Sequence, residues 1–167
     1  MNLSGWRFSI SGVHHKMLMR HLFPGDGLEA AAILLCGRTY DDRPRLCIRD
    51  LIAVLHADCE RQPSMLSWPS GILDTALERA NAEGLSIILI HSHPNGFWGF
   101  SDIDNESYRY FLPDLIDELS SPCSVVVTAV FIPFFGFCSP LYVTIIFSND
   151  IFHIHISISH PSTPLTL

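Results

Sequence analysis

Lysine is almost missing from this chain of 167 residues. Lys16 stands alone, the basic residues total 10 against 17 acidic ones, and the formal net charge is −7. Without a basic stripe, nucleic-acid binding has no electrostatic support. Paired cysteines are missing too. Cys36, Cys47, Cys59, Cys123 and Cys138 are odd in number, scattered, and contain no CxxC. They read as reduced thiols of a cytoplasmic protein rather than as a disulfide framework. The opening run MNLSGWRFSISG alternates like an edge strand and lacks the apolar stretch of a secretory signal. HExxH is absent, which argues against a helix-borne zinc site. The length suits one domain with one core.

Charge itself gives out after Ser120. Residues 121–167 hold one formally charged side chain, Asp150. Residues 125–147 carry none, and such a run of 23 residues is long enough to cross a bilayer. Pro133, Gly136 and Pro140 interrupt it, and no Lys or Arg flanks it as an anchor, so it reads as short strands. A change of reading frame would also produce so uncharged a tail. Residues 151–159 alternate strictly, a strand with His153 and His155 on one face. No carboxylate follows that pair, so it lacks the third ligand of a metal site.

Upstream, the pattern alternates between strand and helix. Residues 5–11 predict a short strand and residues 12–23 a helix, stopped by Pro24-Gly25-Asp26-Gly27. Residues 29–38 are largely apolar and predict a buried strand. A turn at residues 41–44 leads to another strand over residues 45–56, then a loop over residues 58–67. Pro69 suits the first turn of a helix whose apolar stripe is Ile72, Leu73, Ala76, Leu77 and Ala80. Residues 85–90 predict a second buried strand, and Ser101 opens a last helix that Pro113 kinks or ends. Residues 124–128 predict the strand that follows. Domain organisation is therefore read as residues 1–128, carrying the site, and a divergent apolar segment of short strands over residues 129–167.

The chemistry gathers in HSHPNGFWGFSDID, residues 91–104. His91 and His93 lie two apart at the end of a predicted strand, so both can face one point. Asp104 lies 11 residues after His93, far enough for a loop to bring a carboxylate back. Two imidazoles and a carboxylate form a catalytic zinc set that leaves a fourth position for water. Ser101 with Asp104 also reads as a capping box for the helix behind them. Pro94 and Gly96 shape the loop, while Phe97, Trp98 and Phe100 either pack inward or wall a peptide groove. His14, His15 and His21 lie on the predicted first helix and read as bystanders, and His56 and His160 have no readable partner.

The spacing H-x-H-x10-D, with Ser three residues before the Asp, resembles the JAMM signature of the JAB/MPN metallopeptidases. Residues 27–38, GLEAAAILLCGR, resemble that family's strand headed by a glutamate, with Ala32 where a glycine is usual and the closing glycine one residue late at Gly37. The resemblance covers roughly residues 10–128 and implies an α/β (mixed α+β), cytidine-deaminase-like fold: a curved mixed sheet flanked by helices. It implies Zn2+ held by His91, His93 and Asp104, Glu29 as general base, and Ser101 as hydrogen-bond donor to the oxyanion. It further implies peptide or isopeptide hydrolysis at the C-terminal tail of a ubiquitin-like protein, with activating- and conjugating-enzyme-like proteins of the same operon as further partners. The resemblance is to the prokaryotic deubiquitinase-like branch, some members of which are antiphage. Two alternatives remain open: a non-catalytic MPN-type scaffold, and a processing peptidase for sulfur-carrier-like precursors. Neither nucleic acid nor membrane is an expected partner.

Overall fold

The structure, a computed structural model, describes residues 7–39, 45–96, 101–107, 109–110, 126–131, 140–147 and 150–157. Its chain order is β1 (Arg7–Ser9), α1 (Gly12–Leu22), β2 (Ala31–Thr39), β3 (Arg45–Ala53), a 3₁₀ turn (His56–Asp58), β4 (Glu60–Gln62), β5 (Met65–Ser67), α2 (Gly71–Glu83) and β6 (Ser86–Ser92). A short helix, α3, follows over residues 102–107, then β7 (Val126–Phe131), β8 (Pro140–Phe147) and β9 (Asp150–Ser157).

Seven strands form one mixed sheet in the order β1-β3-β2-β6-β7-β8-β9, and β4 with β5 forms a separate hairpin. β2 lies antiparallel to both β3 and β6, while β1 with β3 and β6 with β7 are parallel pairs. The two central strands are buried on both faces, and period-two alternation sorts their side chains. Ala32, Leu34 and Cys36 of β2, with Ile88 and Ile90 of β6, pack with Leu18 and Leu22 of α1. Ile33 and Leu35, with Ile87 and Leu89, pack with Ala76, Leu77 and Ala80 of α2. One helix thus covers each face of the central sheet.

Local signals explain where these elements start and stop. Ser11 caps α1 by accepting from the His14 amide (3.1 Å), and Arg20 and His21 sit in the last turn, where the helix dipole favours positive charge. Gly84 ends α2 in the left-handed region (φ 65°), which glycine adopts without a Cβ penalty. The register of β2 against β3 shifts between Leu35 and Cys36, leaving Arg49 as the extra residue of a bulge. A Cβ on Gly37 would stand 2.9 Å from the Arg49 Nε, so the closing glycine of β2 makes room for that side chain.

The fold departs from the sequence reading in three places. β3 ends at Ala53 and the chain then enters a 3₁₀ turn, so the strand expected through residue 56 is shorter. The expected loop over residues 58–67 holds the β4–β5 hairpin, whose three-residue strands are too short to show a period. β2 begins at Ala31, so Glu29 lies on the approach to the strand and outside its ladder. The turn at residues 41–44, the aromatic loop at residues 97–100, Pro113, Cys123, Cys138 and His160 lie outside the described residues. No helix among the described residues is long and apolar enough to cross a membrane. Residues 126–131, 140–147 and 150–157 enter the sheet as β7, β8 and β9.

A candidate metal centre

β6 delivers two imidazoles. His91 pairs with Ala31 in the β2–β6 ladder, and His93 follows one residue past the strand end. Both are buried, in contrast to most histidines. Their Nε2 atoms lie 2.9 Å apart. Asp104 comes back from the first turn of α3 and sets Oδ1 3.3 Å from His91 Nε2 and Oδ2 3.4 Å from His93 Nε2. The donor atoms of His91, His93 and Asp104 all lie within 4.8 Å of one another, the one group of three with this property among the described residues. Donors held about 2.0–2.1 Å from a four-coordinate ion stand about 3.3–3.4 Å apart. The observed separations match that spacing to within a few tenths of an ångström, so the three side chains can hold a metal ion.

Asp104 performs a second task at the same time. The Ser101 amide and hydroxyl both donate to its Oδ2 (2.7 Å each), and the Asp104 amide donates back to the Ser101 hydroxyl (3.1 Å). This is a reciprocal capping box. The cap is compatible with a carboxylate that faces a metal: it aims Asp104 at the histidines. The Ser101 hydroxyl hydrogen is engaged by Asp104, and a rotation about Cβ–Oγ is needed to present it to anything else. Burial pushes the Asp104 carboxyl up, but hydrogen bonds from His91, His93 and Ser101, with the charge of His91, outweigh it and hold the group well below the usual carboxylate range.

Glu29 stands at the edge of this cluster, with Oε1 3.6 Å from His93 Nε2. Its side chain is 5% exposed. Burial pushes the carboxyl up to about 7; the charge of His93 opposes this and that of Asp104 adds to it. A carboxylate tuned to neutrality is what a proton shuttle needs.

Neighbouring strands lock these groups together. The Ser92 hydroxyl, between the two histidines, accepts from the Ala30 amide at 3.0 Å, and the Ser92 amide donates to the Ala30 carbonyl at 3.0 Å. Ala30 follows Glu29, so the strand bearing the imidazoles is fastened beside the residue bearing the carboxylate. The β4–β5 hairpin closes the other side. The Glu29 amide donates to the Gln62 carbonyl at 3.0 Å, Arg61 Nε donates to the Glu29 carbonyl at 2.7 Å, and Asn95 Nδ2 donates to the Pro63 carbonyl at 3.3 Å. Behind the site, His21 and His56 stack with centroids 4.6 Å apart; His21 Nε2 donates to the Ala31 carbonyl and His56 Nε2 to the His21 carbonyl. These two histidines have partners after all.

A cleft of about 80 Å³ opens from the cluster. Met65, Leu66, Trp68 and Ile103 line it together with His91 and Asp104. Drug-sized ligands occupy pockets of roughly 300–1,000 Å³. This one accommodates a narrow segment.

Sequence spacing draws His91, His93, Ser101 and Asp104 together because they are local. It passes over Ser92 and Arg61, whose partners lie 62 and 32 residues away.

A family model described as prokaryotic homologues of the JAB domain matches residues 12–139. The fold is similar to the solution structure of protein DSY2949 from Desulfitobacterium hafniense, with a TM-score of 0.57 over 88% of this chain and 89% of that one, at 15% identity. No curated protein matches the sequence.

Proposed function

This chain belongs to the family of prokaryotic homologues of the JAB domain, and from that premise we propose that it is a zinc-dependent metallopeptidase acting on peptide or isopeptide bonds at the C-terminal tail of a ubiquitin-like protein. The observation that carries the reading is the convergence of His91, His93 and Asp104 beside a buried glutamate. Two imidazoles and one carboxylate suit zinc, and three protein ligands leave a position for water. When bound, zinc would supply Lewis acidity, lowering the pKa of water to about 7 and polarising the scissile carbonyl.

The remaining steps belong to the chain's own groups. Glu29, near neutrality in its affinity for a proton, takes one from the attacking water and returns it to the leaving amine. Ser101 orients Asp104 through the capping box and, on rotating its hydroxyl, donates to the developing oxyanion. The narrow cleft favours an extended tail over a bulky folded surface.

Zinc analysis of the purified protein tests the site directly, with one ion per chain expected. Glu29→Ala is expected to keep the zinc and lose turnover by about 10²–10⁴-fold, the usual contribution of a positioned acid–base group. His91→Ala is expected to lose the metal. Cleavage is read on a linear ubiquitin-like fusion and on a lysine-linked conjugate. Cleavage of the linear substrate alone identifies a precursor-processing enzyme. Full zinc occupancy with no cleavage of either refutes the peptidase reading in favour of a scaffold.

A further inference from the structure

Glu29 stands on a segment with no ladder of its own. Residues 24–30 run between α1 and β2, turned by Gly25 (φ 97°) and Gly27 (φ 73°) in conformations that favour glycine. Something else must fix a carboxylate there to within the fraction of an ångström that proton transfer requires. One guanidinium does so. Arg61 Nε donates to the Glu29 carbonyl at 2.7 Å and Nη2 to the Leu28 carbonyl at 3.2 Å. Nη1 and Nη2 also donate to the two oxygens of Asp26, at 2.8 and 3.3 Å. Asp26 in turn accepts from the Leu28 amide at 3.0 Å. The Arg61 side chain is 8% exposed, and the next residue, Gln62, accepts from the Glu29 amide. Both backbone polar groups of Glu29 are therefore held by consecutive residues of β4.

We infer that Arg61 is a positioning residue for hydrolysis, fixing the Leu28–Glu29 backbone and so the distance between the Glu29 carboxylate and His93. The inference rests on the reading of Glu29 as general base. Only arginine fits the task. Its planar fork reaches two carbonyls and a carboxylate at once, whereas a lysine ammonium is a point charge that satisfies one or two. The same hairpin supplies Met65 and Leu66 to the cleft wall, so Arg61 holds the base and the substrate's wall as one body.

The test compares wild type, Arg61→Lys, Arg61→Ala and Glu29→Gln as full-length proteins. Three readouts are taken: zinc affinity by chelator competition, amide hydrogen exchange across residues 26–30, and steady-state cleavage of a ubiquitin C-terminal aminocoumarin amide. Expected for Arg61→Ala are unchanged zinc affinity, faster exchange at Glu29 and a fall in kcat of about 10²-fold, the scale of a 1 Å misplacement. KM is expected to hold within about twofold, since ground-state binding is untouched. Millimolar guanidinium is expected to restore part of the lost kcat, which no general loosening of the fold would allow. Arg61→Lys, which keeps the Asp26 pair, is expected to fall in between and covers the case in which the alanine variant does not fold. Full kcat with wild-type protection at Glu29 in either variant overturns the inference. If Glu29→Gln retains its kcat, the base assignment fails, whatever Arg61 does. If the wild type cleaves nothing, the exchange readout decides alone: unchanged protection at Glu29 overturns the role of Arg61.

Discussion

A carboxylate buried beside a second carboxylate resists ionisation, and Glu29 is in that position. Its pKa in the folded chain is raised from 4.5 to about 7, chiefly by burial. Between those values the fold binds a proton that the unfolded chain releases. This contribution to stability is complete below about pH 4.5 and is lost as pH rises through about 7. Glu29→Gln is therefore expected to stabilise the zinc-free protein by about 1–3 kcal/mol at pH 8 and by almost nothing at pH 4.5. Thermal melts in a chelator at the two pH values measure it. A gain in stability with a loss of turnover is the usual mark of a functional group held in an unfavourable place. At this scale the sequence discloses the groups that sit close along the chain. The capping box is legible because Ser101 and Asp104 are one turn apart, and the imidazoles because a strand places alternate residues on one face. Arg61 reads in the sequence as any surface arginine, since nothing local says that its partners include the carbonyl of Glu29.

At the scale of elements, the junction of β2 and β6 carries the site. The Ala30 amide lies beyond the last ladder pair and is satisfied by the Ser92 hydroxyl. Ser92→Ala leaves that buried donor without its acceptor, a loss of about 1–3 kcal/mol. Because Ser92 sits between His91 and His93, the proposed ligands, the same change is expected to lower zinc affinity, which chelator competition would detect and which a change confined to α2 would not reproduce. β2, β6, α1 and α2 are legible from periodicity because each is long and has a strong apolar pattern. The β4–β5 hairpin is not, because two three-residue strands around Pro63-Ser64 offer no repeat to count. That short element holds Glu29 through the Gln62 carbonyl, so the least legible part of the fold is one that positions the chemistry.

At the scale of the whole molecule, the sheet gathers groups of opposite titration behaviour into one core. Burial, ahead of all other causes, lowers the His21 pKa below 6.5. An unfolded chain takes up a proton near pH 6.5 that the folded His21 declines until lower pH. Its contribution to stability is therefore full above pH 6.5 and shrinks as pH falls below it, the reverse of Glu29. On acidification from pH 7 towards 5, the melting temperature of His21→Asn measured in a chelator is expected to rise relative to the wild type, because the Asn side chain cannot charge while Glu29 titrates alike in both. The net charge of −7 follows from the near absence of lysine.

Since His91 is rung-for-rung opposite Ala31, the face that can hold an ion is written in the phase of a single strand. Inserting one alanine among residues 85–90 would leave the strand just as apolar, yet turn the first imidazole towards α1 and away from Asp104, because a one-residue slip swaps the two sides of a sheet. Such a variant is expected to keep strand content by circular dichroism while losing all affinity for zinc: a folded protein with its vocabulary intact and its syntax broken.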